Sequence, residues 1–114
     1  MTKAQKLEHG ALVAVITKTL REAFAAPLVG PVQGCGCGRA YVCVYGVDKP
    51  VMKAFEAAAK ALDKIFQRKA YYGLTNALYI GYDNSTGREL ARARTVAEYL
   101  TSHGIPAYDE ACGG

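Results

Sequence analysis

The sequence predicts an α+β fold: a small two-layer sandwich in which a three-stranded sheet carries a long N-terminal helix and two further helices, in α-β-α-β-α-β order. Three observations lead there. Apolar residues recur at three- and four-residue spacing in three long segments, short alternating runs stand between or after them, and clusters of Gly, Pro, Asp, Asn and Ser punctuate each change of period. The whole chain, 1–114, reads as one domain, with an N-terminal helix at 1–26, a Gly/Pro loop at 27–38 and an αβ core at 39–108.

From Lys3 to Ala26, Leu7, Ala11, Leu12, Val15, Ile16, Thr19, Leu20, Ala23 and Phe24 line one apolar face, while Lys3, Lys6, Glu8, Lys18, Arg21 and Glu22 fill the other side. Gly10 weakens the first turns, and Pro27 ends the helix because it has no N–H to donate. Residues 27–38 hold two Pro and four Gly, a loop composition. Arg39–Gly46 alternates: Ala40, Val42 and Val44 face one way, and Arg39, Tyr41, Cys43 and Tyr45 the other, as a strand requires.

Asp48 suits an N-cap and Pro50 the first turn of the second helix. Its apolar stripe, Val51, Phe55, Ala58, Ala59, Leu62, Ile65 and Phe66, carries it to a turn at Tyr71-Tyr72-Gly73. Ala77–Tyr82 reads as the second strand. Thr86 and Glu89 have capping-box spacing, with Ser85 as a competing cap, and the third helix then runs to about His103. Gly104 stops it, Ile105–Tyr108 reads as a short third strand, and Gly113-Gly114 as a loose tail.

Hydrophobic residues make up 51% of the chain and charged residues 21%, enough apolar surface for a modest core. A net charge of +4 favours anionic ligands but falls short of a dedicated nucleic-acid binder, so no polymeric nucleic acid is expected as partner. No run approaches the ~20 apolar residues of a membrane span, and the polar stretch Met1–Glu8 does not read as a signal peptide. Cys35, Cys37, Cys43 and Cys112 read as free thiols of a cytoplasm.

Two constellations offer chemistry. In Asn84-Ser85-Thr86-Gly87-Arg88, followed by Arg92 and Arg94, unpaired backbone N–H groups and the helix dipole form a ready phosphate site. Arg88 and Arg92, four residues apart, share a face and reach an anion over the helix start, while Tyr79 and Tyr82 stack on a base and Asn84 reads its edge. The alternative is an ordinary capped helix with solvated arginines. In Gly34-Cys35-Gly36-Cys37-Gly38-Arg39 the glycines let backbone approach a ligand, although a flexible loop feeding a strand explains them equally well. The Cys35/Cys37 spacing does not suit a structural metal site, so no metal and no cofactor are expected. His9 and His103 have no nucleophile or carboxylate at a recognisable spacing, and the chain does not read as an enzyme.

Cys37-Gly38-Arg39-Ala40-Tyr41-Val42, Tyr71-Tyr72-Gly73, Tyr82-Asp83-Asn84-Ser85, the run Arg88, Ala91, Ala93, Ala97, Leu100, and Gly104-Ile105-Pro106-Ala107-Tyr108 occur in that order. This ordered set resembles the first family of Thoeris anti-defence proteins, small phage proteins that sequester cyclic ADP-ribose-type immune signals, and in some members other cyclic oligonucleotides. The resemblance implies a cytoplasmic protein of an infected bacterial host that binds a cyclic nucleotide without turnover, at sites built on a homo-oligomer, a dimer or higher. It matches Asn84, Ser85 and Arg88 to the family's polar turn and basic helix start, and Tyr41 and Tyr79 to its strand aromatics. With Arg39, Tyr82 and Arg92 these complete the expected ligand-binding set. The chain differs where members often end in Ser-Arg-hydrophobic-Asp, here Ala111-Cys112-Gly113-Gly114. It also has Tyr at the family's Trp positions and Leu74 for the second Gly of the Tyr-Gly-Gly turn. A rival reading from the tyrosine and arginine content is a phage inhibitor that blocks a host immune protein by direct contact.

Overall fold

The computed structural model describes residues 2–32 and 37–113. Among these residues are three α-helices, α1 (Lys3–Ala25), α2 (Lys49–Ala61) and α3 (Arg88–Ser102), and a short 3-10 turn at Tyr71–Gly73. The strands are β1 (Cys37–Val44), β2 (Phe66–Lys69), β3 (Thr75–Asn84) and β4 (Ala107–Gly113). They form one antiparallel sheet in the order β2-β3-β1-β4. The mixed α and β architecture is as the sequence predicts, but the sheet has four strands rather than three and the order is α-β-α-β-β-α-β.

The additional strand comes from the end of the second helix. Ile65 and Phe66 fit a helical stripe by spacing, yet α2 stops at Ala61. Leu62 N–H reaches back to the Ala58 and Ala59 carbonyls, Asp63 takes a left-handed φ of 56°, and Lys64 N–H closes onto Ala59 O at 2.9 Å. The chain then leaves extended, pairing Phe66 with Leu78 and Lys69 with Thr75. At the other end of the molecule β4 is longer than Ile105–Tyr108. It runs to Gly113 because every residue from Ala107 onward finds a partner on β1, from Val44↔Ala107 to Gly38↔Gly113. The glycine tail is therefore edge strand as far as Gly113.

All three helices pack on one face of the sheet. Ile16, Leu20 and Ala23 of α1, Phe55, Ala58 and Ala59 of α2, and Ala93, Val96 and Leu100 of α3 bury against Ala40, Val42 and Val44 of β1 and Leu78 of β3. The aliphatic side of β1 is thus the core side, as its alternation predicts. In α1 the three-and-four spacing merged two faces. Ile16, Leu20 and Ala23 are buried, whereas Leu7 and Val15, off that stripe, are 72% and 63% exposed. The start of α1 is secured by a capping box that sequence spacing left unassigned: Thr2 Oγ1 accepts from Gln5 N–H at 3.1 Å, and Gln5 Oε1 accepts from Thr2 N–H at 2.8 Å.

The segment after α1 is tied to α3. Arg92 Nη1 donates to Ala26 O at 2.6 Å, and Arg94 donates from Nε and Nη2 to Val29 O and from Nη2 to Pro31 O. Thr95 Oγ1 accepts from Val29 N–H at 2.9 Å. Gly30 turns the chain at a φ of 72° directly against the Arg94 guanidinium; a Cβ there would stand 3.1 Å from it. Among the described residues no helix is long and apolar enough to cross a membrane.

Candidate functional site

Because all three α-helices lie on the aliphatic side of the sheet, the opposite face has no α-helical cover among the described residues. Its centre is a small second core of Tyr41, Cys43, Ala77 and Cys112, flanked by Ala70, Leu74 and Tyr79. The strand register decides what surrounds it. Arg39 lies opposite Tyr82 on β3 and Cys112 on β4, Tyr41 opposite Tyr79 and Glu110, and Cys37 opposite Asn84. Directly opposed residues of an antiparallel pair project to the same side. Of the expected ligand-binding set, Arg39, Tyr41, Tyr79, Tyr82 and Asn84 therefore share one face.

A bulge makes this possible. Ala40 pairs with Gly81 and Tyr41 with Tyr79, so Ile80 is the extra residue on β3. It packs against the helix-side core. Without that extra residue Tyr79 and Tyr82, three apart, would point to opposite faces; with it both stand on the open one. The tyrosines then differ in exposure. Tyr41 is buried and lies 5.4 Å, ring centre to ring centre, from Tyr79 in a tilted contact. Tyr79 is half-buried and Tyr82 is 48% exposed. Tyr41 thus supports Tyr79, and Tyr79 and Tyr82 offer ring surface to a ligand.

The turn into α3 differs from the capped helix the sequence suggests. Ser85 sits at a left-handed φ of 63°, Gly87 is the N-cap at φ 77°, and α3 starts at Arg88. Thr86 and Glu89 make no capping box. The side chain that satisfies the helix start is instead that of Asp83, which is buried on the helix side of β3. Its Oδ1 accepts from the N–H groups of Thr86 and Gly87, both at 2.9 Å, and its Oδ2 from those of Glu89 at 3.1 Å and Leu90 at 3.2 Å. Burial by itself pushes the Asp83 carboxyl up, but the backbone N–H groups of Gly87, Leu90, Thr86 and Glu89 together outweigh it and hold it below the usual carboxylate range. The backbone donors expected to hold an external phosphate therefore already hold an internal carboxylate. Arg92, expected beside Arg88 over that phosphate, instead donates to Ala26 O. Arg88 is exposed at the first position of α3, next to Asn84 and Ser85 in the turn.

Residues of β4 and of the β2–β3 turn complete the face. Tyr72, Leu74, Glu110, Ala111 and Cys112 line a hollow of about 570 Å³ beside Arg39. This lies within the range of small-molecule sites. Burial raises the Cys112 thiol, Glu110 adds to the rise and Arg39 opposes it. Burial likewise raises Cys43, against the hydrogen bond from Tyr108. Tyr108, 44% exposed, meets Tyr45 at 5.9 Å between ring centres. Spacing alone does not assign Glu110 or Cys112 to the site. The available signal was the alternation Tyr108-x-Glu110-x-Cys112, which places these three on one face of a strand. Among the described residues no group of three or more His, Cys, Asp or Glu side chains converges to hold a metal ion. The glycine-rich constellation lies outside the described residues at 34–36. Comparison with family models, with curated proteins and with solved structures finds no match.

Proposed function

We propose that the chain is a binding protein that sequesters a cyclic nucleotide signal, a cyclic ADP-ribose isomer or a cyclic oligonucleotide, without cleaving it. The observation that carries this reading is the register pair Arg39↔Tyr82 on the helix-free face, beside Tyr79 and next to a hollow. A cyclic nucleotide joins a flat base to fixed phosphates. The exposed ring of Tyr82 and the open part of the half-buried Tyr79 ring suit the base, each stacked base being worth ~1–3 kcal/mol. The Arg39 guanidinium suits a phosphate, which it can meet with two parallel hydrogen bonds. Glu110 repels phosphate and accepts from hydroxyl or amino groups, so the sugar or base edge belongs toward the hollow and the phosphates toward Arg39. Arg88, Asn84 and Ser85 close the phosphate end. The resemblance to the Thoeris anti-defence family supports a phage protein acting in an infected bacterium, and a homo-oligomer whose second copy covers the open face.

Calorimetric titration with a panel of cyclic ADP-ribose isomers and cyclic di- and trinucleotides tests the reading, with mass spectrometry of the ligand released on heating. Tight binding, intact recovery and loss of affinity in Arg39→Ala and Tyr82→Ala are expected. Altered ligand would make the protein an enzyme. A second reading has its own observation: Tyr45, Tyr72, Tyr82 and Tyr108 are all large and exposed, at 44% or more. Such residues are enriched where proteins meet. No binding across the panel, with capture of a host immune protein that Tyr82→Ala and Tyr108→Ala abolish, would establish direct inhibition instead.

A further inference from the structure

We propose that the groove between α1 and the end of α2, on the helix side of the molecule, is a separate binding site for a compact ligand carrying two or more phosphate groups. The left-handed turn at Asp63 is what builds it. By ending α2 at Ala61 and sending the chain out extended, it lays Ile65, 57% exposed, and Phe66 along the groove as an apolar floor. Lys53 and Lys60 rise from one side of α2, seven residues and hence two turns apart, and Lys64 follows at the turn. His9 of α1 forms the opposite wall, and the space between is about 580 Å³.

Positive charge is in excess there. The acidic side chain on the wall, Glu56, is engaged with Arg68 at 3.5 Å. Lys53 and Lys60 have no ion-pair partner among the described residues. Lys64 is placed over the Phe24 ring, its Nζ 4.2 Å from the ring centre, which fixes its position without cancelling its charge. A net charge of only +4 on the whole chain makes three lysines round one hollow a concentration of positive potential. Lysine ammoniums are mobile point charges that meet phosphate oxygens from several directions, and their spread along two helical turns suits more than one phosphate. The apolar floor gives a nucleoside or similar flat group something to cover, and the volume is that of a small-molecule site.

The site does not depend on the open sheet face, and the test separates the two. Pyrophosphate and adenosine triphosphate serve as probes in calorimetry with the full chain, with single-stranded RNA and anionic phospholipid vesicles as further arms. The expected result is saturable binding of both small probes that weakens about tenfold or more in Lys53→Gln/Lys60→Gln. It also weakens between ~50 and ~300 mM salt, while Lys3→Gln/Lys69→Gln, which removes the same charge from exposed positions outside the groove, leaves it unchanged. Both lysines are exposed, so the double variant should keep the parent's circular dichroism and melting temperature, which is checked alongside. Absence of binding at about 1 mM probe, unchanged affinity in the double variant, or binding of RNA or vesicles alone would each overturn the proposal.

Discussion

Replacing Arg94 by Ala tests whether the arginines of α3 serve the fold or a ligand. Its guanidinium donates to two backbone carbonyls, Val29 O through Nε at 2.8 Å and through Nη2, and Pro31 O at 2.8 Å. It ties residues 29–31 to α3, with Arg92 and Thr95 making further ties to Ala26 and Val29. Hydrogen bonds from a charged donor contribute ~1.5–3 kcal/mol, and the half-buried setting argues for that range for the whole side chain rather than for each bond. With an unfolding entropy of about 2.1 cal/mol/K per residue, a chain of 114 residues should lose roughly 6–12 °C in melting temperature. The local signature is faster amide exchange at Val29 and faster proteolysis within 27–32. Arg94→Lys should recover only part of the loss, because one ammonium cannot reproduce the planar fork. A melting temperature within ~2 °C of the parent with unchanged exchange at Val29 would refute the clamp, and loss of nucleotide binding at unchanged stability would return Arg94 to the ligand.

The two faces of α1 separate cleanly by mutation: Leu20→Ala, fully buried, should cost ~2–5 kcal/mol in urea denaturation and Leu7→Ala, 72% exposed, less than ~0.5. Asp83→Asn should lower stability at neutral pH. Because the folded carboxyl is held low, its contribution is present above the ordinary carboxylate pKa of about 4 and fades as pH falls through the folded value. The gap between parent and variant in denaturation midpoint should therefore narrow on acidification below about pH 4, and a gap that widens would be the wrong sign. Burial raises Cys43 and Cys112, so in a Cys35→Ser/Cys37→Ser background neutral-pH iodoacetamide labelling should be slow in the native protein and fast in denaturant. Equal rates would show that the second core is open.

What could be read from the sequence followed from how local its cause was. The alternation over Arg39–Val44 identifies β1 and its core side because period two leaves one assignment, and Gly104 at φ 85° ends α3 where expected. The strand β2 was hidden because Ile65 and Phe66 continue the α2 stripe at helical spacing. The break is a left-handed Asp63, with no glycine or proline to announce it. In α1, Leu7, Ala11 and Val15 fall within the same three-and-four pattern as Ile16 and Leu20, so spacing could not say which side meets the sheet. The role of Arg92 is hidden from the sequence for a different reason. Its partner, Ala26 O, is 66 residues away, and only the tertiary fold brings it near.

The same contrast bears on where an anion can sit. A turn of Asn, Ser, Thr and Gly entering a helix with a following arginine reads as a phosphate cradle, since the backbone N–H groups are there whatever fills them. One residue upstream, Asp83 carries the carboxylate that does fill them, and it points inward because the bulge at Ile80 sets the side on which Asp83 and Tyr82 emerge. That one insertion sends the acid to the helix and the tyrosine to the open face. The helix start is thereby neutralised from within, and an anionic ligand near this end of the sheet must be met by side chains. Arg39 is the basic residue that the register sets opposite exposed Tyr82, and Arg88 is the exposed basic residue at the start of α3, four residues after Asn84. Binding on this face should accordingly be more sensitive to Arg39 and Arg88 than to any change in the turn's backbone donors.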